Sequence, residues 1–231
     1  VASGQIHGAV NVHDSQFVDI RNWGVFDTRS GSGGATSGSL LTTFNFSDNV
    51  LSNNAGHVIA RGTIGSETDQ VTIEGNTVQN YPATPANNAA AVFKVFYADD
   101  LDFLDNEISN IGSLQASIGG FPYGAGLMPR NVASLTVTGN TFDNAIQGIA
   151  FEPRNTTSGG FPDGVISGGT ITDNLFLGND QGVFVTATNH PNSNLGTLQI
   201  NRNRFFGNGE AIDNNSATSL NAENSWWGCN A

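Results

Sequence analysis

The chain has 231 residues, one lysine, one cysteine and a formal net charge of −12. This acidity argues against a nucleic-acid partner, because a phosphate backbone repels it, and a lone cysteine excludes an internal disulfide framework. No run of about 18 apolar residues is present, so the sequence predicts no membrane span. Charged residues make up 12%, whereas Gly and Asn each number 29. We expect a single domain over residues 1–231 whose surface is built mainly from uncharged polar residues.

A phrase of alternating apolar residues followed by Asn recurs eight times along the chain. Its clearest copy is Val71-Thr-Ile-Glu-Gly-Asn76-Thr-Val78, usually followed by a second Asn two residues later. The marker positions are Ser15, Asn49, Asn76, Asn106, Asn140, Asn174, Asn203 and Asn224, spaced 21 to 34 residues apart. Alternation with period two predicts short β-strands and not helices. The spacing fits coils of three short strands, so the sequence predicts an all-β solenoid of about eight coils.

The marker Asn residues have a physical reason to recur. Each coil must turn sharply, and Asn tolerates the left-handed backbone conformation that such turns need. In stacked coils the side-chain amides lie above one another and form a hydrogen-bonded ladder. The apolar residues two positions further along are expected to stack inside the solenoid: Phe17, Leu51, Val78, Ile108, Phe142, Phe176, Phe205 and Trp226. Trp227 is then expected to plug the end of the stack.

Longer stretches rich in Gly, Pro, Asn and Ser separate the repeated phrases and predict loop insertions at the corners of the coils. They cover residues 30–39, 81–89, 113–126, 156–169 and 189–196. Two of them share a Gly-Gly-Phe-Pro phrase, which begins at residues 119 and 159. One interpretation is a sugar-stacking platform made by Phe121, Tyr123 and Phe161, since loops at solenoid corners often carry binding residues. The alternative is a shared turn without a ligand.

A second short strand in successive coils ends in a basic residue. These residues are Arg29, Arg61, Lys94, Arg130 and Arg154, five of the eight lysines and arginines in the chain, and His190 follows in the next coil. If the coils stack in register, the five residues form a basic stripe along one corner. One interpretation is that this stripe binds a ligand, and the candidate is an acidic polysaccharide, because guanidinium groups match carboxylates in two-pronged pairs.

The same stripe allows two further interpretations. A polysaccharide lyase needs a cation beside the uronate carboxylate, a base for the C5 proton and an acid for the leaving oxygen. Lys94, Arg130 and Arg154 are the candidate catalytic residues, with His57 or Glu152 nearby. The alternative is an ion-pair ladder without activity. The carboxylates that are close in sequence and suited to neutralise the stripe are Asp27, Glu67, Asp69, Asp99, Asp100 and Glu152.

The sequence predicts neither a metal site nor a cofactor. The four histidines lack the spacing of zinc ligands. The densest acidic run holds Asp99, Asp100 and Asp102, whose carboxylate oxygens suit Ca²⁺. The alternative for this run is a solvated turn.

The repeated phrase resembles the right-handed parallel β-helix (pectate-lyase-like) superfamily. The ending Asn224-Ser-Trp-Trp-Gly-Cys-Asn230 resembles a phrase near the last coils of secreted bacterial β-helix repeat proteins. The resemblance implies right-handed coils and an extracellular or cell-surface location. In such proteins a second cysteine often follows the position of Cys229, so the resemblance leaves the pairing of Cys229 open. The motifs of polygalacturonases and the acidic calcium cluster of pectate lyases are missing, so the resemblance does not extend to those activities.

Three hypotheses for function follow. The first is a structural, adhesive or glycan-binding module that contacts an acidic polysaccharide or a neighbouring surface protein. The second is a lyase on uronate-containing glycans, and the third is a protein that self-assembles end to end into fibres. No sequence that would cap either end is recognisable, so we expect residues 1–231 to be a segment of a longer chain.

Overall fold

The protein is an all-β parallel solenoid, as the repeats predict. The computed structural model describes residues 7–20, 24–28, 40–63, 65–82, 91–112, 115–118, 121–152, 165–187 and 192–228. Within these ranges the only helix is a short 3₁₀ turn at Leu195–Thr197. All pairs of the described strands but one are parallel, and the exception is a small hairpin of β11 (Gln115–Ile118) and β12 (Phe121–Tyr123).

Most strands belong to two large sheets that run along the solenoid. A seven-stranded sheet stacks one short strand from each turn, in chain order: β2 (Gln16–Val18), β5 (Val50–Ser52), β8 (Thr77–Tyr81), β10 (Glu107–Ile111), β14 (Thr141–Ala145), β17 (Leu175–Leu177) and β20 (Arg204–Phe206). The number of eight coils and the right hand of the coils stay predictions.

The second, 12-stranded sheet has two flanks that share β9 (Ala91–Leu104) and β13 (Ala125–Thr138). The flank before the seven-stranded sheet in each turn, here called the A flank, adds β1 (His7–His13), β4 (Leu40–Ser47), β7 (Thr68–Glu74), β16 (Gly169–Thr172) and β19 (Leu198–Asn201). The flank after it, here called the B flank, adds β3 (Gly24–Asp27), β6 (His57–Arg61), β15 (Gln147–Phe151), β18 (Gln181–Val185) and β21 (Glu210–Asn214).

A continuous apolar core fills the inside of the solenoid. Inward residues of all three strand stacks join one cluster, and aromatic rings line up along its axis. Phe142, Phe176 and Phe205 stack with ring centroids 5.1 and 4.7 Å apart and planes within 8° of parallel. Parallel in-register pairing places these side chains directly above one another, which explains the column of rings that the repeats predict.

A buried asparagine ladder runs beside this core and confirms the predicted hydrogen bonds between the marker residues. The left-handed backbone expected at the marker Asn residues from Asn49 to Asn203 is wrong, because that conformation lies on the residue before each of them. In each step the backbone N–H and the side-chain amide of one Asn donate to the side-chain oxygen of the next. Asn140, for example, donates through both groups to Asn174 Oδ1, at 2.9 Å each. The Asn140 amide also donates to the Phe103 and Thr138 carbonyls. The same pattern links the marker positions from Asn49 to Asn203.

The residue before each ladder position has a left-handed backbone, and these residues form an outer row of mostly aspartates and glycines. This outer row reads Asp14, Asp48, Gly75, Asp105, Gly139, Asp173, Arg202 and Asn224, with φ between 51° and 74°. A Cβ on Gly75 would lie 2.6 Å from Asp48 Oδ1, so the carboxylate of one turn leans over the glycine of the next. Neighbouring strands are only about 4.8 Å apart, so Gly75 and Gly139 keep the carboxylates of Asp48, Asp105 and Asp173 from stacking on consecutive turns, whereas Asp14 and Asp48 do occupy consecutive turns.

The last described turn corrects the expectation for Trp226. Asn203 donates its backbone N–H to Ser225 Oγ, so Ser225 and not Asn224 takes the ladder position. Trp227 therefore stacks on Phe205, with ring centroids 5.0 Å apart. Trp226 pairs with Arg204, stacks on the outward Phe206 and is 43% exposed. The prediction that Trp226 lies in the core is wrong by one residue. In the last turn Asn224 occupies the left-handed position, which Asp173 and Arg202 occupy in the two turns before it. The inward position therefore falls on Trp227 and not on Trp226.

The buried Tyr81 gives the fold a dependence on high pH. Burial raises the pKa of the Tyr81 hydroxyl well above its ordinary value of about 10. Above that pH the unfolded chain loses the proton while the folded protein keeps it, so the free energy of unfolding falls by up to about 1.4 kcal/mol per pH unit. We expect urea unfolding between about pH 9 and pH 11 to show a smaller decline for Tyr81→Phe than for the wild type. Equal declines in the two proteins would contradict this assignment.

Candidate functional site

Of the five basic residues predicted to form one stripe, the three that the structure describes lie in two rows of the B flank. Arg61 and Arg130 occupy the same register position, and Phe96 of β9 lies between them. Their guanidinium carbons are 6.0 and 5.5 Å from the centre of the Phe96 ring, in cation–π range. Lys94 lies two residues earlier, in register with Ile59 and Met128. An alignment of the strands by their ends does not show this two-residue offset of Lys94, which is visible only in the strand register.

These three cations are buried. Arg61, Lys94 and Arg130 are 3, 8 and 4% exposed. Arg130 forms an ion pair with Glu152, which directly follows β15 and is 1% exposed. A charge is removed from water only at a high cost, so a buried guanidinium needs such a partner. The pairing of Arg130 with Glu152 matches the ion-pair interpretation for that residue.

Several predicted site residues lie outside what the structure describes. Arg29, Arg154, Phe161 and His190 are in undescribed segments, and Phe121 is described only as part of β12. Tyr123 is 1% exposed and packs edge-on against Phe184 at 6.0 Å, in a cluster with Met128 and Ala150. Its ring is therefore part of a small satellite core and is not open to a sugar. Ligand binding by the other residues stays a prediction.

The acidic run on β9 does not gather into one cluster. Asp99 and Asp100 are exposed, whereas the Asp102 carboxylate accepts a hydrogen bond from Gln70 Nε2 at 3.1 Å. Asp99 lines an open cleft of about 250 Å³ with Glu67 and Ser167. Among the described residues, no three His, Cys, Asp or Glu side chains lie together as a metal site would require. The described part of the chain also holds no helix long and apolar enough to cross a membrane.

A second surface, which the sequence analysis did not single out, is an open groove where the seven-stranded sheet turns toward the B flank. We call it the asparagine groove; its volume is about 330 Å³. Its lining residues are Tyr81, Pro82, Asn110, Ile111, Gly112, Asn144, Ala145, Ile146 and Asp180. Tyr81, Ile111 and Ala145 are in register on consecutive turns and form a buried floor. The groove therefore runs along the axis of the solenoid.

Exposed amides form one rim of the asparagine groove. Asn144 Nδ2 donates to Asn110 Oδ1 at 2.8 Å, and Asn110 Nδ2 donates to Asn80 Oδ1 at 3.4 Å. All three residues have left-handed backbones, with φ of 53° to 58°. The next position in the row is Gly178, which has no side chain and ends the ladder. The second Asn of the repeated phrase was the sequence signal for this rim.

Comparisons with protein-family models, with curated proteins and with solved structures find no match to this chain.

Proposed function

We propose that this chain is a right-handed parallel β-helix of eight coils, similar to the pectate-lyase-like superfamily, that acts outside the cell as a structural, adhesive or glycan-binding module. The support comes from its construction. A ladder of amides and a column of rings run through the turns, and the seven-stranded sheet alone spans about 29 Å at the usual strand spacing. Such a stack is stiff, because each turn is hydrogen-bonded and packed against its neighbours.

The observation that carries the proposal is the burial of the basic rows. A lyase must place its cation, base and acid against a polymer that enters from solvent. Arg61, Lys94 and Arg130 have at most 8% of their surface exposed, and Arg130 is already paired with Glu152. In the described part of the chain, these buried charges are better suited to stabilising the fold than to binding an anionic polymer that enters from solvent. A scaffold that presents a separate binding surface fits this arrangement.

A lyase assay tests the choice between module and enzyme. The protein is incubated with a panel of uronate polysaccharides, with and without Ca²⁺, and the ultraviolet absorbance of the unsaturated product is followed. We expect a flat trace for every polysaccharide. Lys94→Met, which keeps the apolar stem of the side chain, is measured in parallel, and circular dichroism checks its fold. An absorbance rise that disappears in folded Lys94→Met would make the protein a lyase and overturn the proposal.

A further inference from the structure

We infer that the asparagine groove binds a neutral glycan chain laid along the solenoid axis. The inference rests on the proposed function, since it names the ligand class and the surface for a glycan-binding module. It differs from the expectation of an acidic polysaccharide on the basic stripe. Four features of the groove carry it: length, chemistry of the walls, charge and unfilled hydrogen-bonding capacity.

The length of the groove fits a chain and not a single small molecule. Its lining residues come from four consecutive turns, which contribute Pro82, Ile111, Ile146 and Asp180. Tyr81, Ile111 and Ala145 are stacked in register, and Asp180 N–H donates to the Ala145 carbonyl in the next step. Three inter-strand steps of about 4.8 Å make a channel roughly 14 Å long. Several sugar residues occupy such a length.

The walls combine apolar surface with exposed polar groups in the way that a sugar ring requires. The half-buried Pro82 and Ile146 offer apolar contact for the C–H faces of a ring. The exposed Asn110, Asn144 and Asp180 offer amides and a carboxylate for its hydroxyls. Binding sites are usually apolar concavities with a few convergent polar groups. The groove has this composition along its whole length.

Charge selects a neutral glycan over an acidic one. Asp180 is the one charged residue that lines the described groove, and the chain carries a net charge of −12. A uronate polymer would place its carboxylates beside this carboxylate with no cation from the lining to compensate. Hydroxyl groups, in contrast, donate readily to a carboxylate, and hydrogen bonds to charged groups are the stronger ones. One carboxylate is also too few for Ca²⁺, which takes six to eight oxygen ligands.

The amide rim ends inside the groove, at Asn144. Each Asn amide in the rim donates to the previous turn, so the Asn144 oxygen is the last acceptor of the ladder. Gly178 follows in register and supplies no amide to that oxygen. Asp180 lies just beyond, in the same turn as Gly178. A pair of adjacent sugar hydroxyls can donate to the Asn144 amide oxygen and to the Asp180 carboxylate.

The test is calorimetric titration with hexasaccharides. Cellohexaose, mannohexaose and xylohexaose are the neutral probes, and hexagalacturonate is the acidic one. We expect at least one neutral probe to bind more tightly than hexagalacturonate. Asn144→Gly, which keeps the left-handed backbone, and Asp180→Asn are expected to weaken that binding about tenfold. The matched control is Asn53→Gly, since Asn53 has the same conformation and exposure but does not line the groove.

The possible outcomes distinguish the inference about the asparagine groove from the proposed glycan-binding role of the module. Weaker binding in Asn144→Gly and Asp180→Asn but not in Asn53→Gly supports the inference. A neutral probe that binds all three variants as it binds the wild type overturns the groove assignment and leaves a glycan-binding module. Preference for hexagalacturonate overturns the neutral ligand. No heat with any probe removes both the groove and the glycan-binding role of the module.

Discussion

Replacing Asn140 with alanine is expected to lower the free energy of unfolding by about 3–5 kcal/mol. Asn140 is 1% exposed and lies in the middle of the buried ladder. Its oxygen accepts from the Asn106 backbone and side chain, at 2.8 and 3.0 Å, and its amide donates to three further acceptors. Alanine leaves these groups buried and without the partners that Asn140 supplies. Each such group costs about 1–3 kcal/mol, partly offset by relaxation of the neighbouring turns.

Guanidinium unfolding followed by circular dichroism measures this loss. The matched control is Asn45→Ala, because Asn45 lies on β4 outside the ladder and its side-chain oxygen is buried without a hydrogen-bond partner. That variant is expected to change stability by less than about 1 kcal/mol. Equal losses in the two variants would mean that the ladder contributes no more than any other Asn in the fold.

Breaking the Arg130–Glu152 pair is expected to have an effect of similar size. In Glu152→Gln the Arg130 guanidinium keeps its charge, in a site where the two side chains are 5% and 1% exposed. Removal of one partner of a buried pair typically costs about 3–5 kcal/mol, because it leaves an uncompensated buried charge. The double variant Arg130→Met, Glu152→Gln removes that charge and is expected to regain most of the stability.

Denaturant titration of the single and double variants forms the experiment. The control is Asp173→Asn, which breaks the exposed Asp173–Arg202 pair, where the Arg202 guanidinium lowers the pKa of the Asp173 carboxyl. Surface pairs contribute little, so this variant is expected to unfold almost as the wild type does. If Glu152→Gln also unfolds like the wild type, the pair is not a support of the fold. Its place in a ligand site would then be the better explanation.

The repeats in the sequence predicted the strands, the ladder and the ring column that every turn reproduces, but they placed the left-handed conformation one residue too late. The spacing from Asn106 to Asn140 and Asn174 is 34 residues in each step, and the hydrogen bonds between them span the same separation. Strand, ladder and aromatic column follow from one rule of local geometry, in which the left-handed residue, the amide and the ring keep fixed positions. Such a rule can be recognised in a sequence because the same residue types recur in every turn.

Features that depend on contacts between different strand stacks were not predictable in the same way. The stripe was predicted by aligning the strands at their ends. The observed strand register instead places Phe96 between Arg61 and Arg130, and Lys94 lies in another row. Burial of these cations depends on what covers the outer side of the B flank, and no repeat encodes it. The asparagine groove combines a rim from the repeats with Pro82 and Ile146 from the irregular corners. The sequence pattern identified the amides of the rim, but it could not show that they border a groove.

The buried ladder has an evolutionary consequence. Every internal step joins one Asn to the next through the same pair of bonds, at separations of 27, 29, 30 and 34 residues. The joint between two turns, meaning this pair of hydrogen bonds, therefore does not depend on the length of the loops or on which turn comes next. A gene duplication or deletion that adds or removes one whole period inserts or excises a turn and leaves every remaining joint intact. Proteins built this way can change length by recombination, while each turn keeps the freedom to acquire its own surface.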